Sequence, residues 1–185
     1  MKSSFVSAVL LLTLVHGSAA LADDSGLAFV TIDGIQGEST RTGHEGQIEG
    51  SNFSQTFRLA LATGGAGGGA GKPTLGPVVF EKPQGVASIK LLKALLSGQV
   101  LPKVFIDFSA QGPDGKSAVT YRITLLSVNV VGLNEKSVAG TLIDEVQLSF
   151  VSGIWEVFDP ADSTSFDGTT GKVNVLAPSG KRSIR

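Results

Sequence analysis

A glycine-rich tract that ends in a lysine is the first feature of the sequence that could do chemistry. The tract from Gly64 to Gly71 is followed directly by Lys72, and glycine loops that end in lysine hold nucleotide phosphates in many enzymes. For the pattern G-x-x-x-x-G-K-[ST], however, Ala66 occupies the first glycine position and Pro73 the hydroxyl position. A proline there also prevents the helix whose amino terminus would hold a phosphate. The tract therefore predicts a flexible loop, and one that can gain order by contacting another subunit.

His44 is the second candidate, because it is the one histidine outside the first 22 residues. A serine–histidine–aspartate relay would need it, yet the sequence has no G-x-S-x-G motif to present a nucleophile. Metal binding by His44 with Glu38 or Glu45 lacks a specific ligand spacing. A histidine that hydrogen-bonds within a strand is the more common case. Because neither paired carboxylates nor a nucleophile–base set is found, the sequence predicts no enzyme, no cofactor and no metal site.

Charge and cysteine content exclude further classes of protein. The chain carries 15 basic and 16 acidic residues, and removing Lys2 with the leader described below leaves 14 basic residues, a net charge of −2. No run of basic residues offers the patch that neutralises phosphates, so nucleic acid is excluded as a partner. The absence of cysteine removes thiol catalysis, thiolate metal ligands and disulfides. We expect the protein to be stabilised by its sheet and by self-association.

The first 22 residues have the organisation of a signal peptide. Lys2 gives a positive start, the run from Phe5 to Val15 is apolar, and Ala20 and Ala22 form an A-x-A site. The apolar run is shorter than the ~20 residues of a spanning helix, so a membrane anchor is the weaker interpretation. We predict cleavage before Asp23 and export to the bacterial periplasm or medium, with no membrane insertion afterwards.

One helix is expected at about residues 88–97. Ser88 can accept a backbone N–H of the first turn as an N-cap, and Gly98 can end the helix in the left-handed conformation. Four leucines fall on one face of this helix and are expected to be buried in the core: Leu91, Leu92, Leu95 and Leu96.

Most of the remaining chain alternates apolar and polar residues with the period of β-strands. A turn at 111–115 predicts a hairpin, and a shift of apolar phase after Leu125 predicts a β-bulge of the kind that bends strands as barrels close. Strands are expected at 26–32, 44–61, 75–81, 104–108, 118–130 and 143–158. The sequence thus predicts a mainly β fold, a small antiparallel β-barrel of two packed sheets with one helix.

We expect a single domain at residues 23–160. The polar segment at 161–185 is expected to be a loose tail with at most one short strand, from Val173 to Leu176. Two aromatic residues, Phe105 and Trp155, fall on the outward parity of their strands. Each is expected either to be covered by a neighbouring element or to contribute to an interface.

An ordered series of short motifs resembles the Hcp family, the tube protein of type VI secretion. The resemblance covers most of residues 26–158 and rests on the segments 32–39, 44–49 with Ser54, 70–72, 87–88, 91–94 and 97–98. It implies a small antiparallel β-barrel with one helix that assembles into hexameric rings, which stack into a tube. It also implies a structural protein without catalytic residues, with a spike protein and effector proteins as further partners.

Two functions follow from these observations. The first is an exported, non-catalytic structural protein of the Hcp type that forms homo-hexameric rings. The alternative is a secreted or periplasmic binding module on the same barrel. For the ring, the residues expected to provide the self-association loop and the ring contacts are Gly64, Gly65, Gly67, Gly68, Gly69, Gly71, Lys72 and Phe105.

Overall fold

The computed structural model describes residues 26–61, 70–111, 117–158 and 161–176. Its elements in chain order are β1 (Ala28–Ile32), β2 (Ile48–Leu61), β3 (Ala70–Pro83), α1 (Val86–Ser97), β4 (Val100–Gln111), β5 (Ser117–Val138), β6 (Thr141–Phe158), β7 (Ala161–Asp167) and β8 (Lys172–Leu176). The predicted leader, residues 1–22, and the glycines from Gly64 to Gly69 lie outside the described residues. Cleavage before Asp23 and the behaviour of the glycine loop therefore stay predictions.

The strands form one antiparallel sheet with the order β3-β2-β1-β4-β5-β6-β7-β8. The sheet closes on itself because β3 also pairs with β6, from Val78 opposite Leu148 to Pro83 opposite Ile143. Six strands thereby form a closed barrel, and β7 and β8 extend the sheet from the later part of β6. The predicted mainly β, antiparallel fold with one helix is confirmed, with a single closing sheet in place of two packed sheets.

The two ends of the barrel differ. At the closed end, β3 pairs with β6, and the helix and the loop at 33–47 lie beside them. At the open end, the part of β3 from Ala70 to Pro77 has β2 as its one strand neighbour within the described residues, and β6 pairs with β7 instead. The predicted hairpin of β4 and β5 is confirmed by their antiparallel pairing from Val100 opposite Asn129 to Gln111 opposite Ser117, with one register shift between Phe108 and Ser109.

The core of the barrel is apolar. Its fully buried larger side chains come from β1 to β6 and from the helix, and include Val30, Ile48, Val78, Phe80, Leu91, Leu101, Ile106, Ile123, Leu125 and Leu148. Burying side chains of this size contributes ~1.5–3 kcal/mol each, so the barrel interior is the main source of stability.

The helix begins earlier than predicted, and Ser88 is not its N-cap. Gly85 is the N-cap, and α1 runs from Val86 to Ser97. The Ser88 hydroxyl accepts the Gly85 backbone N–H at 2.9 Å, so it serves the first turn from the third helical position. Gly98 ends the helix as predicted, with a φ of 64° in the left-handed region.

The predicted face of four buried leucines is wrong. Leu92 and Leu95 are half-buried and Leu96 is exposed. The buried side of the helix consists instead of Ala87, Ser88, Leu91 and Ala94. These positions are also spaced for one face, and their small side chains let the helix backbone approach the sheet closely.

The chain after residue 160 contains more structure than the predicted single strand. Both β7 and β8 form regular antiparallel pairs, β7 with β6 and β8 with β7. The polar run Ser163-Thr164-Ser165 hid β7, because strands at the margin of a sheet need little apolar alternation.

The apolar phase of β5 changes between Leu125 and Val128, both of which are buried. Ser127 has a positive φ of 52° at this point. Pairing with β4 and β6 stays in register there, and the shift in the β5–β6 register lies farther along, between Val130 and Gly132. The sequence predicted this phase change correctly, but it also predicted a bulge there. The structure has the positive φ of Ser127 at this point instead of a bulge.

Candidate functional site

The described part of the predicted self-association loop is Gly71 and Lys72, at the start of β3. A Cβ at Gly71 would overlap the Ala60 carbonyl of the paired strand, so this position requires glycine. The Lys72 ammonium donates to the Gly168 carbonyl at 3.4 Å. Its aliphatic part lies against Gly171 in the turn between β7 and β8. Lys72 thus connects two hairpins of its own chain at the open end.

Phe105 lies half-buried on the outer face of β4, within a mixed aromatic and charged cluster. We call this cluster the outer patch; it consists of Lys103, Phe105, Asp107, Arg122 and Phe158. The Lys103 ammonium lies 5.5 Å and the Arg122 guanidinium 5.4 Å from the centre of the Phe105 ring. Arg122 is also 5.8 Å from the exposed Phe158 ring. Two alternatives were predicted for Phe105, cover by a neighbouring element or a place in an interface. Within its own chain, the ring is covered in part, by the cations of Lys103 and Arg122.

Arg122 is held in the outer patch by a bidentate pair with Asp107. The two N–H···O distances are 2.6 Å and 2.9 Å. These hydrogen bonds to Asp107 raise the pKa of Arg122, against an opposing effect of burial. Because the paired guanidinium is fixed between two rings, the outer patch presents a rigid, partly apolar surface.

The outward side of the helix is a second apolar surface, and the sequence analysis missed it. Val86, Ile89 and Leu96 are 67%, 68% and 78% exposed, and together they form what we call the helix face. Val100, the first residue of β4, is also exposed. Apolar residues at i, i+3 and i+10 opposite two alanines were the signal for this face. A contiguous exposed apolar helix side is typical of an interface.

The amino terminus of the helix is capped from a distant part of the chain. Glu38, in the loop at 33–47, accepts the Ala87 backbone N–H at 2.8 Å, across 49 positions of sequence. A carboxylate is favoured there by the partial positive charge of a helix amino terminus. A Cβ at Gly85 would overlap the Glu38 carboxylate, so glycine at the N-cap is what admits Glu38.

A buried ion pair joins the helix to the barrel. Lys82 and Asp144 are 1% and 0% exposed, and their charged atoms are 3.5 Å apart. The Lys82 ammonium also donates to the Pro83 carbonyl at 2.5 Å and to the Ser88 hydroxyl at 2.9 Å. β3, β6 and α1 therefore meet at one lysine, which holds the closed end together.

His44 is hydrogen-bonded, as predicted, but lies in a loop rather than in a strand. Its ring stacks on Phe29 with 3.6 Å between centroids, and its Nδ1 lies 2.6 Å from the Gln47 Oε1. Because the Gln47 Nε2 donates to Thr31, Oε1 is the acceptor and Nδ1 carries the proton. The Ser109 hydroxyl then donates to Nε2 at 3.0 Å. The histidine fastens the loop to β4 and β1 and has an amide where a catalytic relay needs a carboxylate.

Trp155 follows the first of its two predicted alternatives, because it is covered by neighbours and only 7% exposed. Phe57 and Phe150 pack edge-on against it at centroid distances of 5.5 Å and 6.2 Å. Its indole N–H donates to the Gln55 side chain at 3.2 Å. Trp155 therefore belongs to the floor of the open end rather than to an outer surface.

Two further features are absent from the described part of the chain. Among the described residues, no group of three or more histidine, cysteine or carboxylate side chains is placed to hold a metal ion. No helix in the same part of the chain is long and apolar enough to cross a membrane.

Solved structures share this fold, a small antiparallel β-barrel with one helix. Hcp1 of Salmonella typhimurium matches with a TM-score of 0.68 and 22% identity, over 80% of this chain and 98% of that one. A mutant of Hcp1 from E. coli EAEC 042 matches with a TM-score of 0.65 and 23% identity, over 77% and 97%. The secreted protein Hcp3 of Pseudomonas aeruginosa matches with a TM-score of 0.58 and 22% identity, over 76% and 97%.

A sequence profile identifies the family. The profile described as "Type VI secretion system effector, Hcp" matches residues 29–157, which span the barrel from β1 nearly to the end of β6. A search of curated proteins finds no match. The chain therefore belongs to the Hcp family, and the resemblance inferred from its motifs is confirmed.

Proposed function

We propose that this protein is an exported, non-catalytic structural subunit that assembles into hexameric rings, which stack into a tube of the type VI secretion kind. The observation that carries the proposal is the match of the Hcp profile to residues 29–157. Six copies per ring, a spike protein and effector proteins as partners are what the family implies.

The surface of the protein supports ring closure by two unlike faces. In a closed ring, each subunit presents one surface to a different surface of its neighbour. The helix face, with Val86, Ile89 and Leu96, and the outer patch around Phe105 are two such surfaces, and both are partly apolar. Buried aromatic residues commonly dominate the energy of an interface. We assign the helix face of one copy to the outer patch of the next.

This assignment is tested by the association state of paired variants. Ile89→Asp and Phe105→Asp each place a charge in one surface and are expected to give monomers by size exclusion with light scattering, where the native protein gives hexamers. Val138→Asp, at an exposed apolar position at the end of β5, is the matched control and is expected to keep the hexamer. Negative-stain images of the native protein should show rings with a central hole.

Mixing the two variants tests which surfaces meet. An Ile89→Asp copy keeps its outer patch and a Phe105→Asp copy keeps its helix face, so an equimolar mixture is expected to form dimers and nothing larger. A mixture that stays monomeric would reject the pairing of these two surfaces while leaving the hexamer intact as a hypothesis. A native protein that is monomeric at tens of micromolar would reject the ring and favour the secreted or periplasmic binding module.

The glycine tract is assigned to contacts between subunits or rings. Its residues Gly64, Gly65, Gly67, Gly68 and Gly69 have no side chain with which to pack on their own core. Gly71 and Lys72 connect the tract to β3. Shortening Gly64 to Gly69 is therefore expected to weaken ring stacking or closure without lowering the unfolding temperature of the barrel. Intact mass of the protein recovered outside the cytosol tests export and should correspond to a chain that begins at Asp23.

A further inference from the structure

The open end of the barrel contains an apolar groove of about 690 Å³. The β2–β3 hairpin forms one wall and the β7–β8 hairpin forms the other, with Tyr121 and Trp155 at the floor. The apolar side chains of the two walls are Phe57, Leu59, Pro73, Leu75, Phe166 and Val173. Three of these, Phe57, Leu59 and Val173, are more than half exposed. Both walls therefore present apolar surface to water.

The β5–β6 hairpin ends in a second exposed apolar feature, at the opposite end of the barrel. Its register runs from Tyr121 opposite Val157, beside the groove, to Val138 opposite Thr141 at the turn. Residues 137–142, which we call the hairpin tip, are all exposed. Val138 and Leu142 within it are 48% and 52% exposed. One end of the subunit thus has an apolar groove and the other an apolar projection.

The hairpin tip carries an apolar side chain on each of its two faces. Val138 pairs with Thr141, and Ser137 pairs with Leu142. Directly opposed residues of antiparallel strands share a face, and successive residues alternate between faces, so Val138 and Leu142 project in opposite directions. The two turn residues at 139–140 have φ values of 50° and 82°, as a tight two-residue hairpin turn requires. The tip is therefore narrow and apolar on both sides, like a groove with two apolar walls in reverse.

The charges around the groove and around the tip have opposite signs. On the two hairpins that form the groove, three cations and one carboxylate line it or directly adjoin a lining residue: Arg58, Lys72, Lys172 and Asp167. Near the tip, Lys136 pairs with both Glu81 and Glu145, and Glu135 is exposed beside them. The remaining charges there, Lys82 and Asp144, are buried and paired with each other. Unlike charges of this kind favour and orient a contact between the two surfaces.

A tip cannot reach the groove of its own subunit, because the two lie at opposite ends of the same β5–β6 hairpin. The occupant that both features suit is a second copy of this chain. A contact between two different surfaces at opposite ends of a subunit does not close on itself, and it repeats from copy to copy.

We propose that the hairpin tip of one copy inserts into the groove of the next, with Val138 against one wall and Leu142 against the other. The proposal rests on the proposed function, because it names the contact through which rings stack into a tube. It is separate from the lateral contact within a ring, since the helix face and the outer patch share no residue with the tip or the groove.

Introduced cysteine pairs test the contact directly, because the chain contains no cysteine of its own. Leu142→Cys in the tip combined with Val173→Cys in the groove wall is expected to give, on mild oxidation, a ladder of covalently joined chains on a non-reducing gel. Each single variant can form one disulfide and so gives nothing larger than a dimer. Leu142→Cys combined with Val131→Cys, at an exposed position of β5 outside the groove, is the matched control and is expected to give no ladder.

Stacking of the native rings gives a second readout. Trp155 is the one tryptophan of the chain and lies at the floor of the groove, so its emission is expected to shift to shorter wavelength as stacks form and water leaves. Leu142→Ala is expected to raise the protein concentration that stacking requires by about tenfold or more, and Val138→Asp to abolish stacks while hexamers remain. Val131→Ala is the control and is expected to change neither stacking nor emission.

The outcomes separate this contact from the ring itself. Hexamers without a ladder, or an equal ladder from the control pair, would overturn the contact and leave the ring in place. A ladder from a protein that forms no hexamers would support the contact and reject the ring, and the absence of both would reject both. Dimers of Leu142→Cys as the main product would show tips meeting tips, and stacks that tolerate Val138→Asp would show another contact; either result would reject the proposal.

Discussion

The closed and open ends of this barrel differ in how the chain covers their polar and apolar side chains. At the closed end, β3 and β6 complete the sheet. Lys82 forms an ion pair with Asp144 there, although neither Asp144 carboxylate oxygen has a hydrogen-bond partner among the described residues, and Glu38 accepts from the helix amino terminus. At the open end, the sheet parts and aromatic side chains line a groove. The closed end is therefore held by contacts between distant segments of the chain, whereas the open end leaves aromatic side chains along a groove.

The helix shows the same division within a single element. Its inward side carries the small residues Ala87 and Ala94 around Leu91, and it packs closely on the barrel. Its outward side carries Val86, Ile89 and Leu96, which nothing in the described part of the chain covers. The inner side fixes the helix to the closed end, and the outer side is free to meet another subunit.

The largest effect is expected from breaking the buried ion pair of the closed end. Asp144→Ala leaves the Lys82 ammonium buried with two neutral acceptors and no counter-charge, and this is expected to cost ~3–5 kcal/mol of unfolding free energy. Urea denaturation followed by far-ultraviolet circular dichroism measures the loss.

The double variant Lys82→Met, Asp144→Leu sharpens this prediction. Both charges are removed together, so the double variant is expected to be more stable than Asp144→Ala alone, because no unpaired charge remains. If the single and double variants lose the same free energy, the packing at this position matters and the charge pair does not.

The second prediction compares the two sides of the helix. Leu91→Ala removes a fully buried side chain and is expected to cost ~2–5 kcal/mol. Leu96→Ala is the matched control at an exposed position, and it is expected to change the unfolding free energy of the monomer by less than ~0.5 kcal/mol. Equal losses for the two variants would show that the helix is rotated relative to this description.

Much of the barrel could be predicted because its determinants are local. The alternation in β4 and β5, the turn between them and the left-handed glycine at Gly98 each depend on a few neighbouring residues. The series of short motifs, spread over most of the chain, was enough to indicate the family.

The features that the sequence analysis missed or predicted wrongly depend on residues that are far apart in the sequence. Gly85 could not be recognised as the N-cap, because the acceptor that completes the cap is Glu38, from another part of the chain. The four leucines of the helix satisfied a helical period, but two alanines set which side could approach the sheet. The pair Lys82 and Asp144 comes from two strands that only the closing of the barrel brings together.

The third and smallest effect is the loss of stability at acidic pH. It is tested with one carboxylate from each end of the barrel. At the closed end, hydrogen bonds from Lys136 and then Asn52 lower the pKa of Glu81. At the open end, hydrogen bonds from Thr170 and the Thr169 backbone lower the pKa of Asp167. A carboxylate with a lowered pKa stabilises the fold above its unfolded pKa, and that stabilisation is lost as the pH falls through the folded value.

Both contributions are therefore complete at pH 7 and decline below about pH 4, near the unfolded pKa values of these groups. Glu81 links β3 to β2 and β5, whereas Asp167 holds only the turn after β7. Glu81→Gln is expected to reduce the difference in urea midpoint between pH 7 and about pH 3.5. Asp167→Asn is expected to reduce that difference by less and to speed amide exchange mainly in β7 and β8. If Asp167→Asn shifted the global midpoint as much as Glu81→Gln, the open end would unfold together with the barrel, and the division of stability between the two ends would be rejected.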